Sequence, residues 1–562
     1  MNDTDRRDRP PIRHSEHDEP GQHEQQRRQR RRRRSLVLLT VVSLAGMVLA
    51  GALAIHAHLA GQRAEQRHAQ AEDLIGFILD DLYDRLSEID RLDVYAAVGD
   101  KAMEYFAGLE AENLEGSALA RQVAALQVIG ETRLDQDELD GALEAFTEAL
   151  RLARRLAERD PDNEDRQIGV ADIEDRIGFV HWQRGDLDLA AERFEHRLAV
   201  LHTLADETPE DAGLLEQLGS GHTRLGRVQE AQGEFDAALA SYGEATDIYE
   251  RIAALEPDDA ERRLDLGFAH NRTGELATRL GELDLAEREL RTVLGIKQAL
   301  VDADRGHAGY QSHLAEAHLR LAGLLELRGK DDGARAELET ALVIAARLHE
   351  LEPANRERAG ALGAVLSGLG RLHLRLGELV MASRRLQDAE TLLAPLVRAQ
   401  PNNVAWRREL ATVRVGAAGV ALRQGQVSQG LRDAESGREA LEDLAEYAPD
   451  DLETQRRLAA AWLVLGDLQD AAGDRMSATE AWWSVLEVLG AELEESRDPA
   501  KLEPAAQALL RLGRAGEAEP MLRTLREIGF RAGELFGSGL GRHRSGRAGH
   551  DTAGTPGPYG SY

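Results

Sequence analysis

Residues 226–242 read GRVQEAQGEFDAALASY, and related stretches stand at 178–194 (GFVHWQRGDLDLAAERF) and 274–290 (GELATRLGELDLAEREL). The turn glycines follow one another at steps of 48 residues: Gly185, Gly233, Gly281, Gly329, Gly377, Gly425 and Gly473. Asp137 holds the same place one period earlier. A fixed period of this length predicts a repeat array whose function lies on an extended binding surface rather than in one catalytic cleft.

Three further columns of the repeat indicate how its helices meet. Relative to the turn glycine, a glycine stands seven positions before, an alanine five positions after and a large apolar residue nine positions after. The clearest copies have Gly178, Gly226 and Gly274, then Ala190, Ala238 and Ala286, then Phe194 and Tyr242. Small residues let two helices approach closely, and the ring fills the space beside them. A boundary proline such as Pro209 ends one helix, and the Asp or Asn beside it can cap the next.

These columns resemble the tetratricopeptide repeat, which has about 34 residues. The copies here have 48, and the additional residues lie in two blocks of seven at one edge of the array. The resemblance implies an all-α fold, a right-handed α-α superhelical solenoid of helix-turn-helix repeats. We assign eight repeats to residues 116–495, a capping helix pair to 496–535 and a disordered tail to 536–562. The last assignment follows from its Gly-, Ser- and Arg-rich composition.

The N-terminal region predicts a membrane anchor. Residues 27–34 (RRQRRRRR) end a polar segment over 1–34, and residues 36–55 carry no charge. About 20 apolar residues span a bilayer, so we expect a transmembrane signal-anchor helix over 35–56. Arginines on one side only keep the N-terminus in the cytoplasm and place the repeats on the periplasmic or extracytoplasmic side of the inner membrane. Residues 57–115 are then juxtamembrane helices that cap the first repeat.

The order of these parts is similar to the outer half of bacterial membrane serine/threonine kinases with tetratricopeptide domains. The similarity covers AEDLI (71–75), RLDV (91–94) and the aromatic pair Tyr105 and Phe106. The chain has no Gly-rich loop, H-R-D or D-F-G, so kinase activity does not carry over. We predict no enzyme activity, no catalytic residue, no cofactor and no metal site. A net charge of −31 disfavours nucleic acid as a partner.

One polar column suggests where a partner binds. Arg176, Arg224, Arg272 and Arg320 recur at one repeat position. By resemblance to the tetratricopeptide family this column faces the concave groove, where it would bind a protein or peptide and where its positive charge would favour an anionic segment. The alternative is a duplicated structural ion pair. A second column, two places earlier, holds His222, His270 and His318, which we expect to pack between helices rather than bind metal.

Two functions follow from these expectations. The first is a membrane-anchored scaffold that holds a protein or peptide partner outside the cytoplasm. The alternative is a sensory or receptor component whose kinase is a separate chain.

Overall fold

A computed structural model describes residues 116–449, 451–490, 493 and 495–531. This part of the chain is all-α and contains eighteen helices and no strand. None of these helices is long and apolar enough to cross a membrane. The expected anchor over 35–56, the segments 1–34 and 57–115 and the tail 536–562 lie outside the described residues.

The helices follow one another as antiparallel pairs, each odd-numbered helix pairing with the next even-numbered one. They are α1 (Gly116–Asp135), α2 (Leu139–Arg159), α3 (Glu164–Arg184), α4 (Leu187–Glu207), α5 (Ala212–Gln232), α6 (Phe235–Leu255), α7 (Ala260–Arg279), α8 (Leu283–Ala303), α9 (Ala308–Leu327), α10 (Asp331–Leu351), α11 (Arg356–Arg375), α12 (Leu379–Ala399), α13 (Val404–Arg423), α14 (Val427–Tyr447), α15 (Leu452–Ala471), α16 (Arg475–Leu489), α17 (Pro499–Arg511) and α18 (Ala515–Glu527).

The turn glycines explain why each pair reverses direction at the same repeat position. All seven have positive φ, from 64° at Gly329 to 89° at Gly473, and Asp137 adopts φ 61° in the first pair. The left-handed conformation is accessible to glycine without steric cost, and Asp tolerates it better than most residues. At Gly233 the turn closes with hydrogen bonds from Gly233 N to Glu230 O and from Glu234 N to Gln229 O. This arrangement satisfies carbonyls at the end of α5.

The start of each odd-numbered helix is also set by one residue per repeat. Asp211 illustrates the cap, because its Oδ1 accepts a hydrogen bond from Leu214 N at 3.0 Å. Side chains at the same repeat position cap α3 to α15: Asn163, Asp211, Asp259, His307, Asn355, Asn403 and Asp451. Such caps satisfy amide groups that have no partner within the helix.

The described part of the chain divides into two compact units, one ending at Asp160 and the other beginning at Pro161. In the first unit, α1 lies close to α2 at Gly130, where an added Cβ would be 2.6 Å from the Phe146 ring. Phe146 has no exposed surface and fills the space that the glycine leaves. The glycine thus sets how closely the two helices of this pair approach.

In the second unit the same close approach recurs from pair to pair. An added Cβ would lie 2.8 Å from Phe194 at Gly178 and 2.7 Å from Tyr242 at Gly226. At Gly274 the nearest atom would be Glu289 Cβ, at 3.3 Å. The alanines of the repeat, Ala190, Ala238 and Ala286, are completely buried, as are the Phe194 and Tyr242 rings to within 1%. Helix contact therefore depends on small residues at fixed positions.

The C-terminal pair α17 and α18 closes the array and makes a second contact further back in the chain. It packs on α16 and α15, and α17 also touches α7. Ile528 and Phe530, just after α18, belong to the same buried core as Ala277, Leu283 and Leu325 from α7 to α9. The second unit therefore turns back on itself, because its last helices lie against helices about ten elements earlier.

Candidate functional site

The predicted arginine column is placed on four successive odd-numbered helices, and its members are already engaged. Arg176 is exposed on α3. Arg224 Nη1 on α5 lies 2.8 Å from Asp175 Oδ2, and Arg272 Nη1 on α7 lies 3.5 Å from Glu275 Oε2. Arg320 on α9 pairs with Glu275 and, at 2.8 Å, with Glu316. Whether this column binds a partner stays a prediction, but three of its guanidinium groups have intramolecular carboxylates.

Arg224 differs from Arg272 because the carboxylate with which it pairs, that of Asp175, is buried. Asp175 is 7% exposed and Arg197, 3.6 Å away, is 5% exposed. Burial lowers the pKa of Arg197, and the Asp175 carboxylate opposes that fall. A buried charge needs such partners, because an unpaired one costs several kcal/mol. Arg224 thus helps to neutralise a buried carboxylate.

The histidine column lies between helices. His270 Nδ1 is 2.6 Å from Glu289 Oε2 and His318 Nδ1 is 2.5 Å from Glu337 Oε2. His222 instead has Nε2 3.1 Å from His202 Nε2. Across the described residues, no three His, Asp or Glu side chains are arranged to hold a metal ion.

A second group of charges, which we call the inner charge cluster, lies where α9, α11, α13 and α15 approach one another. It consists of Glu326, Arg371, Glu409, Glu453 and Arg457, all half-buried. Burial raises the pKa of Glu326, and the nearby guanidinium groups, Arg371 first, oppose that rise. Burial lowers the pKa of Arg371, which lies within electrostatic reach of Arg457 and Glu409. Charges from four helices therefore share one poorly solvated region.

Hydrogen bonding within the inner charge cluster is incomplete. Arg457 Nε donates to Glu453 Oε1 at 2.8 Å. By contrast, Arg371 Nε, Arg457 Nη1 and Glu409 Oε1 are buried and have no hydrogen-bond partner in the described part of the chain. Buried polar atoms normally have partners, and an unmet one costs about 1–3 kcal/mol. The cluster therefore leaves part of its hydrogen-bonding capacity unused.

A cavity of about 390 Å³ lies beside the arginine column, and we call it the α7–α9 cavity. Its volume falls in the range of small-molecule sites. Its charged and aromatic lining residues are Tyr249, Asp265, Phe268, Arg272, Glu275, Lys297, Glu316 and Arg320. Two members of the predicted column, Arg272 and Arg320, thus share this cavity with residues from α6, α7, α8 and α9.

Neither the inner charge cluster nor the α7–α9 cavity was identified from the sequence, for reasons that the structure explains. Arg371 and Arg457 occupy different repeat positions, so no column of the repeat connects them. Lys297 could have been found, because it stands in a column that is apolar in most copies. Its distance to Phe268, by contrast, depends on how two neighbouring helices pack.

The described residues form an array of paired helices, consistent with the tetratricopeptide-like family that the repeat columns resemble. No family model and no curated protein matches the chain. Among solved structures, it is similar to a Rap protein complexed with Competence and Sporulation Factor, with 16% identity, a TM-score of 0.38 and coverage of 74% of this chain and 98% of that one. The apo form of RapI has 14% identity, a TM-score of 0.41 and coverage of 72% and 97%. A tetratricopeptide repeat protein from Parabacteroides merdae has 13% identity, a TM-score of 0.33 and coverage of 61% and 99%.

Proposed function

We propose that this chain is a scaffold that is anchored in the inner membrane by residues 35–56 and holds a protein or peptide partner on the extracytoplasmic side. The anchor is supported by the uncharged run over 36–55 directly after the basic run over 27–34. The paired-helix array supplies a long surface, which is the usual means by which solenoids bind partners. No chemical step is part of this proposal.

The observation that carries partner binding is the incomplete hydrogen bonding of the inner charge cluster. Two guanidinium groups, Arg371 and Arg457, keep buried donors without acceptors. These atoms are out of reach in the arrangement described, so binding would have to open the cluster. A carboxylate of a partner segment would then accept from these donors, and charge-assisted hydrogen bonds of this kind are about twice as strong as neutral ones. The Glu409 Oε1 atom would accept from a backbone amide of the same segment.

A photo-crosslinking experiment on the full-length protein in native membranes tests the partner site. Ala460 is exposed on α15, one turn after Arg457, so a photoreactive residue there should capture the partner. The same residue at Val343, which is 70% exposed on α10, is the control and should capture nothing specific. Arg371→Gln should weaken capture at Ala460, whereas Arg432→Gln on α14 should not. Equal capture in all variants contradicts the proposal.

A separate experiment tests the topology. Fusion of a reporter that is active only outside the cytoplasm to the C-terminus should give activity, because the arginines over 27–34 favour the cytoplasmic side. Activity of a cytoplasm-specific reporter at the same position would reverse the orientation. Deletion of residues 36–55 should release the protein from the membrane fraction.

A further inference from the structure

The α7–α9 cavity contains both satisfied and unsatisfied charges. Arg320 pairs with Glu275 and donates to Glu316 at 2.8 Å, and Asn271 Nδ2 donates to Glu275 at 3.1 Å. Arg272 lies 3.5 Å from Glu275. These contacts pair Glu275 and Glu316 with arginines, so neither glutamate needs a charged group from a ligand.

Lys297 and Asp265 have no hydrogen bond or ion pair in the described part of the chain, and we call them the unsatisfied charges; Glu316 acts on Lys297, and Arg262 on Asp265, only at longer range. Lys297 is 5% exposed, and its Nζ lies 5.2 Å from the centroid of the Phe268 ring without a hydrogen bond or ion pair to any described residue. Asp265 is half-buried and likewise has no such partner in the described part of the chain. Burial lowers the pKa of Lys297 and raises the pKa of Asp265, so both groups are held where their charge is disfavoured.

The repeat shows that this lysine occupies a core position. The equivalent residues in the other copies are Ala153, Leu201, Tyr249, Ala345, Leu393, Leu441 and Leu489. All but Tyr249 are apolar and at most 6% exposed. The two polar exceptions, Tyr249 and Lys297, line the same cavity. An apolar side chain would pack there without the cost of burying a charge, so the fold has no need of the lysine.

The two unsatisfied charges have opposite sign and do not pair with each other. Asp265 and Phe268 are three residues apart on α7, so their side chains lie side by side on one helix face. Phe268 is 48% exposed and offers an apolar surface next to the Lys297 ammonium, on the helix face that also carries Asp265. A ligand that bridges the two charges needs one anionic group, one cationic group and an apolar body.

We propose that the α7–α9 cavity binds a small zwitterion of the amino acid class, whose carboxylate accepts from Lys297 and whose ammonium group donates to Asp265. The apolar body of the ligand lies against Phe268. Binding gives each buried charge its missing partner, and such charge-assisted bonds are strong in a poorly solvated site. This site is independent of the partner proposed for the inner charge cluster.

Calorimetry on the full-length protein in nanodiscs tests the proposal with three zwitterions, L-phenylalanine, L-leucine and γ-aminobutyrate. Phenylpropanoate and phenethylamine each keep the ring of phenylalanine but carry only one of its charges, and both should bind much more weakly. The chain has four lysines, Lys101, Lys297, Lys330 and Lys501. Selective labelling of lysine side chains for NMR should therefore show whether the Lys297 signal alone moves on binding.

Variants separate a binding role from a structural one. Lys297→Met suits the apolar column, so it should fold with equal or higher stability and yet lose affinity by roughly ten-fold or more. Asp265→Asn keeps the shape of the side chain and should show a similar loss. Lys501→Met, on α17, is the matched lysine control and should bind normally.

Three results would overturn the proposal. One is that no zwitterion moves the Lys297 signal at millimolar concentration. The second is that a singly charged analogue binds as tightly as L-phenylalanine. The third is that Lys297→Met and Asp265→Asn both bind as the unmodified protein does. Capture of a partner at Ala460 in the absence of any zwitterion binding would leave the scaffold proposal standing, so the two failures are distinguishable.

Discussion

The backbone N–H of Arg531 donates a hydrogen bond to the carbonyl oxygen of Leu327 at 3.0 Å. This bond joins the residues after α18 to the end of α9, although some 200 residues separate them in the chain. The turn glycines make the contact possible, because Arg531 O would lie 2.6 Å from a Cβ at Gly329. At Gly281 an added Cβ would lie 2.8 Å from Ile528 Cγ2. Two turns of the array are thus covered by the C-terminal segment.

Gly329→Ala should destabilise the C-terminal contact more than an equivalent change at an open turn. The added methyl group would collide with Arg531, and overpacking of this kind costs about 1–3 kcal/mol. Gly377 is the matched control, since it has φ 78° and nothing within 4 Å of an added Cβ. Both substitutions carry the left-handed backbone cost of about 1–2 kcal/mol.

Hydrogen exchange by mass spectrometry is the suitable measurement, because it reports local opening in a repeat protein. In Gly329→Ala, peptides covering residues 515–531 should exchange faster than in Gly377→Ala. Equal exchange of these peptides in the two variants would mean that the Arg531–Leu327 contact contributes nothing to the docking of the C-terminal pair.

Gly226→Ala should weaken the pair formed by α5 and α6. The new methyl group would lie 2.7 Å from the ring of Tyr242, whose side chain is 1% exposed and cannot move aside easily. We expect a loss of about 1–3 kcal/mol in the free energy of unfolding. Gly243→Ala on α6 is the control, because nothing lies within 4 Å of its added Cβ. That change should stabilise the helix by up to about 1 kcal/mol, as chemical denaturation can verify.

The sequence predicts some of these features well because they depend on single residues. A residue that tolerates positive φ recurs at each turn, glycine in every copy but the first, and a capping side chain recurs at the start of each odd-numbered helix from α3 to α15. Both are therefore visible in the 48-residue period. The Arg531–Leu327 contact is different in kind. It depends on the small rotation between each helix pair and the next, which accumulates over several pairs. No pattern of residues in the sequence predicts the total rotation. The α7–α9 cavity is only partly predictable from the sequence. Lys297 stands out as an exception in an apolar column, but the residues that line the cavity with it cannot be identified without the structure.

Arg224→Gln should cost more stability than Arg272→Gln, although the two arginines share one repeat position. Removal of Arg224 leaves the buried Asp175 carboxylate with Arg197, 3.6 Å away, as its remaining partner. The Arg224 side chain is 38% exposed, so its loss should cost less than the roughly 3–5 kcal/mol of a fully buried pair but more than the ~0–1 kcal/mol of an exposed one. Arg272 is 50% exposed and pairs at 3.5 Å within its own helix.

Thermal denaturation of the two variants compares these costs directly. If both variants lower the denaturation midpoint equally, the burial of Asp175 does not make Arg224 more important for stability than Arg272. The comparison also guides any test of partner binding by this column. Arg272→Gln should leave the array intact, so a loss of partner capture in that variant would indicate binding rather than unfolding.

His222 should make the stability of the array depend on pH. Burial, and then the neighbouring His202, lower the pKa of His222 from 6.5 to about 4. The two Nε2 atoms lie 3.1 Å apart, which requires one ring to donate and the other to accept. Protonation of His222 adds a donor that either faces the His202 ring or lies on Nδ1, which is buried without a hydrogen-bond partner in the described part of the chain.

The direction of the effect follows from proton binding. Between pH 6.5 and about 4 the unfolded chain binds a proton at His222 that the folded chain does not. This contribution to stability is therefore fully present above pH 6.5 and is lost as the pH falls to about 4, by ~3 kcal/mol in total. In His222→Gln, denaturation midpoints should decline less over this range than in the unmodified protein. His318→Gln, whose histidine bonds to Glu337 at 2.5 Å, is the control for loss of a histidine from the same column. An equally steep decline in His222→Gln and the unmodified protein would show that other groups carry the pH dependence.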